Sequence, residues 1–431
     1  MRLRMENHDT SQKLINELNK IIVPFSLEDK ISYQPLLDQI GDARIVLIGE
    51  ASHGTHEFYQ ARIELSKLLI SEKNFHAIAI EGDWPNVYPV HQYIQGNAEE
   101  ESALSEFKRF PEWMWRNTTI PPFLNWLKKY NDKIKDPKQF VGFYGLDLYS
   151  LHDSIKAVID YLKTYDTKAA EHAIQRYSCF DTNEDPQSYG YLVESGIKKA
   201  CIKEVTEQLL EMRHIAFEKI KKDLSEDEKL FYATQNARVV VNAEHYYRAM
   251  FESRDVTWNI RDHHMGETLQ NLIAHLETKM GKPAKIIIWA HNSHIGDARA
   301  TEMSTRGETN LGQIVRENFN NTSYHIGFST YTGTVRAAHN WGDPSEEMKV
   351  LPAMRGSYEA LFHELKFKEF ILFLHGESHP LHLLCPSRLQ RAIGVMYRPA
   401  TEYQSHYYFS HLLDQFDALI HIDETKALTS L

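Results

Sequence analysis

Apolar residues fall in this chain in short unbroken runs separated by longer stretches of helical period. The runs "RIVLIG" at 44 to 49, "AIAIEG" at 77 to 82, "FVGFYGLD" at 140 to 147 and "KIIIWAHN" at 285 to 292 lack the alternation of a half-exposed strand. They predict strands buried on both faces, as in a parallel sheet covered by helices. Similar runs lie at "SYHIGFST" (323 to 330), "EFILFL" (369 to 374), "AIGVMY" (392 to 397) and "ALIHID" (418 to 423), and "GTVRAA" (333 to 338) reads as an antiparallel edge. Helical segments between the runs make this a succession of βαβ units, hence an α/β fold with a mostly parallel central sheet and helices on both faces.

From 151 to 255 the strand pattern stops. "LHDSIKAVIDYLKTY" and "DEKLFYATQNARVVVNAEHYYRAMF" repeat their apolar positions with a helical period. The expected organisation is a first part of the α/β core over 1–150, a helical insertion over 151–255 and the rest of the core over 256–431. An insertion that leaves after the third strand and returns before the fourth is expected to act as a lid near the strand ends, or as a plain packing subdomain.

Composition narrows the function classes. The 431 residues exceed the size at which one core usually stops growing, which agrees with a core plus an inserted part. A net charge of −11 and the lack of a basic stripe argue against a nucleic-acid partner. No signal-peptide h-region and no apolar run long enough to span a bilayer are found, so a cytoplasmic protein with no membrane partner is expected. Cys179, Cys201 and Cys385 show neither metal nor redox spacing and read as reduced thiols.

The chemistry collects where the strands end. In an open α/β sheet ligands bind outside the carboxyl ends of the strands. There the first strand delivers Glu50 and His53, the second Glu81, Asp83 and Trp84, the third Asp147, and the fourth His291 and His294. Turn formation and helix capping account for Ser52, Thr55 and Asp83. They leave Glu50, His53, Glu81 and the His291/His294 pair unexplained. Spacing alone proves little, because 23 histidines supply about one His-x-x-His pair by chance. Three occur, and position singles out His53/His56 and His291/His294; His379/His382 reads as turn or surface.

No G-x-S-x-G elbow, P-loop or G-x-G-x-x-G follows the first strand, so a serine nucleophile and a nucleotide phosphate both lose their usual setting. Imidazoles and carboxylates without a nucleophile suit general acid–base attack by water, or a metal site. In the first reading His53 is the base, Glu50 or Glu81 fixes its tautomer, and His291 and His294 polarise a carbonyl. Arg62 lies about 13 Å beyond His53 along a helix rising about 1.5 Å per residue, so it braces Glu50 or Glu81. In the second, His53, a later histidine and a carboxylate hold a divalent metal, although no specific ligand spacing is present. A third reading is a module that binds a large apolar ligand without turnover. Trp84, Asp83, Tyr88, Trp113 and Trp115, with Trp126, would line its pocket or the substrate's, or else pack as core.

Taken in order, "GEASHGTHEFYQAR", "IEGDWP" and "WAHNSHIGDA", followed by "NIRDHHMGETL" and "STYTGTVRAA", resemble the erythromycin esterase family over nearly the whole chain. Some relatives of this kind carry the label of succinoglycan biosynthesis. The resemblance implies a carboxylic ester hydrolase that opens the lactone ring of a small-molecule macrolide through histidine-activated water, without an acyl-enzyme; no cofactor is expected, with a divalent metal as the open alternative. It implies His53 as base, Glu50 and Glu81 as its acids, Arg62 as the family's arginine and His291/His294 as its histidine pair.

Overall fold

The computed structural model describes residues 2–180, 185–221, 228–375 and 379–431. Its strands are β1 (Val23–Pro24), β2 (Ile45–Ile48), β3 (Ala77–Asp83), β4 (Gly142–Asp147), β5 (Ile286–Trp289), β6 (Ser323–Ser329), β7 (Thr332–Ala337), β8 (Glu346–Val350), β9 (Glu369–Phe373), β10 (Arg388–Arg391), β11 (Tyr407–Ser410), β12 (Ala418–Ile422) and β13 (Glu424–Thr425). The chain is α/β with a mostly parallel sheet and many helices. It forms two compact units, one of residues 1–75, 107–127 and 285–431, the other of 76–106 and 128–284.

In the first unit the strands run in the order β1-β9-β12-β6-β2-β5. β12, β6, β2 and β5 are mutually parallel, and β9 and β1 close one side antiparallel. Every residue of β2, β5, β6 and β12 is buried, as their unbroken apolar runs require. Ile48 lies level with both Trp289 and Ile326. Gly49 and Ala290 therefore leave the sheet side by side, while β6 continues to Ser329.

Two expectations fail in this unit. The run "AIGVMY" forms no strand: Ile393 and Met396 make single bridges to Ser52 and Ala338, with Gly394 interrupting the run between them. β7 is not an edge of the main sheet but the middle of a separate three-stranded sheet, between β13 and β8. Val335, Ala337, Met348, Val350, Ile393 and Tyr397 make its core, so the apolar run at 392–397 is satisfied by packing on this sheet.

In the second unit β3 and β4 pair in parallel, with a register shift between Ile80 and Asp83. Between 151 and 255 every described element is a helix, including Leu151–Tyr165 and Glu228–Ala249. Cys179 and Cys201, expected as free thiols, are joined in a disulfide; the fold brings their Cα atoms to 6.0 Å across 22 residues of sequence, a distance no sequence spacing reveals. No described helix is long and apolar enough to cross a membrane.

Asp417 fastens the amino ends of β6 and β12. Its buried carboxylate accepts the His325 N–H (2.6 Å), pairs with Arg316 (2.9 Å) and meets the His375 ring. Burial pushes this carboxyl up, but the His375 hydrogen bond and the neighbouring His325 and Arg316 charges outweigh it and hold it at about 2. A depressed folded value contributes stability that is complete above the unfolded value of about 3.9 and is lost as pH falls toward 2. Denaturant titrations of wild type and Asp417→Asn should therefore differ most near neutral pH and converge between pH 4 and 2. Opening the Cys179–Cys201 loop by Cys201→Ser should lower unfolding stability by about 3 kcal/mol on the chain-entropy account, measurable by the same titration.

Candidate active site

The turn after β2 places Glu50 at the bottom of a buried charge chain, with 1% of its surface exposed. One carboxylate oxygen accepts the His53 Nδ1–H at 2.8 Å, and the other meets the Arg62 guanidinium at 2.5 Å. Arg62 lies in the helix His56–Lys73 and is fully buried. Its Nε also donates to the Gly49 carbonyl (2.8 Å), and its guanidinium lies over the rings of Tyr59 and Trp289, 5.1 and 5.9 Å from their centroids. The expectation that Arg62 braces a carboxylate rather than His53 is met at Glu50. A buried guanidinium and a buried carboxylate are each costly alone, and pairing is what permits both.

The loop from Gly49 to Thr55 is fixed from several sides. The His53 N–H donates to the Ile393 carbonyl, the Ile393 N–H to that of Ala51, and the Arg336 and Leu428 N–H groups both to that of Gly54. A Cβ at Gly54 would lie 1.9 Å from the Arg336 oxygen, so only glycine lets the two backbones meet. Thr55 occupies the N-cap position without a side-chain capping bond; its hydroxyl pairs with that of Ser52.

From the end of β5 comes His291, its ring centroid 4.8 Å from that of His53. It is the N-cap of the short helix Asn292–Ile295, and its Nδ1 accepts the Ser293 N–H at 3.2 Å, with the Ser293 hydroxyl at 2.8 Å. An Nδ1 that accepts from a backbone N–H carries no proton, so neutral His291 holds its proton on Nε2. His53 is the reverse: the Glu50 carboxylate fixes the proton on Nδ1 and leaves Nε2 as the basic nitrogen. The two adjacent imidazoles thus present one acceptor and one donor. His294 lies in the same helical turn, 3% exposed.

Glu81 belongs to the second unit, in the irregular stretch of β3 where a register shift redirects side chains. It pairs with Arg261 Nη2 at 2.7 Å, and the same guanidinium takes Asp147 through Nε (3.0 Å) and Nη2 (2.7 Å) and lies 5.1 Å from the Tyr149 ring centroid. Burial alone raises the Asp147 carboxyl; Arg261 more than offsets this and holds it below the usual carboxylate range. Arg261 was not identified from sequence, although it lies within the quoted "NIRDHHMGETL". An arginine in a helix usually faces solvent, and only the fold shows two buried acids converging on it.

The aromatic residues proposed to line a pocket are packed within their own units. Trp113 and Trp115 are 1% and 5% exposed, Trp115 lying 6.1 Å from Tyr59. Trp84 stacks near Tyr144 and Tyr232, and half-buried Tyr88 stacks on Tyr232 at 3.6 Å. Asp83, at the N-cap of helix Trp84–Ile94, accepts the Tyr149 N–H at 2.8 Å. A cavity of about 830 Å³ opens at the amino ends of β6 and β12, lined by Arg299, Arg316, His375, Asp297 and Asp417 among others, and contains none of the His53 group. Among the described residues no three or more His, Cys, Asp or Glu side chains are grouped to hold a metal ion.

The comparisons with known proteins agree on one lineage. The family model for erythromycin esterase matches residues 70–425, a span that begins beyond Arg62 and includes Glu81, His291 and His294. The YbfO protein of Bacillus subtilis (strain 168) is 23% identical over 403 residues, 88% of this chain and 83% of its own length. Erythromycin esterase type II of Escherichia coli is 23% identical over 336 residues, 74% and 77% of the two chains. Among solved structures, a succinoglycan biosynthesis protein superposes with a TM-score of 0.77 at 20% identity, covering 97% of this chain and 98% of that one. With the family model matched over most of its length, the chain belongs to the erythromycin esterase family.

Proposed function

We propose that the protein is a carboxylic ester hydrolase of lactone type, acting on a small-molecule substrate through water activated by His53. One observation carries the reading: two neighbouring imidazoles whose Nδ1 atoms meet opposite kinds of partner, the Glu50 carboxylate at His53 and the Ser293 N–H at His291. His53 Nε2 removes a proton from water as the oxygen attacks the ester carbonyl. The oxyanion that forms is stabilised by the His291 Nε2–H. On collapse the alcohol oxygen departs with the proton from the His53 imidazolium, and in a lactone both fragments remain in one hydroxy acid. Glu50 stays ionised throughout, held by Arg62, and no covalent acyl-enzyme forms. Within this reading Glu81 and His294 are supporting residues, and macrolides are the narrower substrate class put forward from family membership.

The test is hydrolysis of a short-chain p-nitrophenyl ester and of erythromycin by wild type and His53→Asn, each with and without a chelator. Loss of about 10²–10⁴-fold in kcat/KM for His53→Asn, indifferent to the chelator, is expected. Retained activity in His53→Asn overturns the base; chelator sensitivity moves the imidazoles to a metal site; no turnover of either ester removes the hydrolase reading. Replacing the donor, in His291→Phe, should cost about 10²–10³-fold in kcat. Glu81→Gln should cost less than His53→Asn in the same assay.

A further inference from the structure

The strand ends that bear Glu50 and His291 are fastened by one side chain that the mechanism does not use. Asn292 is 1% exposed and follows His291 directly. Its backbone N–H donates to the Glu50 carbonyl at 2.9 Å. Its carboxamide makes a two-point bond with Phe328 at the end of β6: Nδ2 donates to the Phe328 carbonyl (2.7 Å), and Oδ1 accepts the Phe328 N–H (3.2 Å). Because β2 lies between β5 and β6, the Asn292 side chain must cross the end of β2 to reach Phe328. It crosses at Gly49, where a Cβ would stand 2.1 Å from Asn292 Oδ1. The bare backbone at Gly49 and the carboxamide at 292 are therefore one fitted pair, immediately before Glu50 and immediately after His291.

We propose that Asn292 is a positioning residue that locks the carboxyl ends of β2, β5 and β6 together and so sets the spacing between the His53–Glu50 pair and His291. A hydroxyl or methyl at this position cannot replace it, since the bond to Phe328 needs a donor and an acceptor on one planar group. The inference rests on the hydrolase reading for its kinetic consequence, but the placement of the two histidines can be read without any substrate.

Asn292→Ala should lower kcat for the p-nitrophenyl ester by about 10–100-fold, as misplacement of reacting groups does, with KM within about threefold of wild type. Gly49→Ala, whose new methyl displaces the carboxamide, should show the same split. Once the carboxamide is gone the methyl's closest remaining neighbour is the Ile326 carbonyl oxygen at 3.0 Å, so the double variant should add to Asn292→Ala much less than the full Gly49→Ala penalty. In 15N-histidine-labelled protein, Asn292→Ala and Gly49→Ala should each move the His53 and His291 ring signals and leave that of His264, in the second unit, in place. Unchanged His53 and His291 signals in folded variants overturn the proposal. So does a lowered thermal midpoint with kcat intact, or an additive double variant. If wild type hydrolyses no ester, the hydrolase reading falls, and the ring signals still decide the positioning role.

Discussion

Everything at this site depends on one carboxylate having two oxygens in different hands. Glu50 gives one to Arg62 and the other to His53, and all three groups are buried. Removing Glu50 or Arg62 would leave the other's charge unpaired in a dry interior, at about 3–5 kcal/mol. The arginine is anchored independently by the Gly49 carbonyl and by Tyr59 and Trp289. Glu50 is thereby fixed by the first unit's own core, and the His53 tautomer follows from it rather than from any ligand.

The second imidazole is set by different means. His291 Nδ1 accepts the backbone N–H of Ser293, in the short helix that His291 caps. Two chemically identical side chains 4.8 Å apart are thus made unlike, one basic at Nε2 and one protonated there. In the proposed mechanism that division supplies a base and an oxyanion donor without a nucleophile, in keeping with the lack of a serine elbow in the chain. It also explains why the strand-end geometry has to be tight. A base and a donor act on one substrate carbonyl only if β2 and β5 keep their register past the last paired residues, Ile48 and Trp289.

Much of this was legible in the sequence, for stated physical reasons. Strands buried on both faces show as unbroken apolar runs, so β2 to β6, β9 and β12 were found close to their observed limits. The carboxyl-end rule then brought out Glu50, His53, Glu81, His291 and His294, and helix rise placed Arg62 too far along its helix to touch His53, while only the family resemblance set it above its helical neighbours. What failed was non-local. β8 is charged at three of its five positions and β10 at two of its four, and neither shows an apolar run. The run at 392–397 is apolar because it packs on a small sheet, not because it pairs as a strand. The Cys179–Cys201 disulfide and the convergence of Glu81 and Asp147 on Arg261 join residues far apart in sequence. Ser293 and Asn292 act largely through backbone groups and a carboxamide, which single-sequence reading cannot tell from an ordinary turn.

The central claim is that the fold itself holds the two imidazoles in opposite tautomers. Long-range 1H–15N correlation spectra of 15N-histidine-labelled wild-type protein, with His53 and His291 assigned by substitution, test it most directly. The account predicts a proton on Nδ1 at His53 and on Nε2 at His291, without substrate, near neutral pH. The same tautomer in both rings, or the reverse assignment, would contradict it.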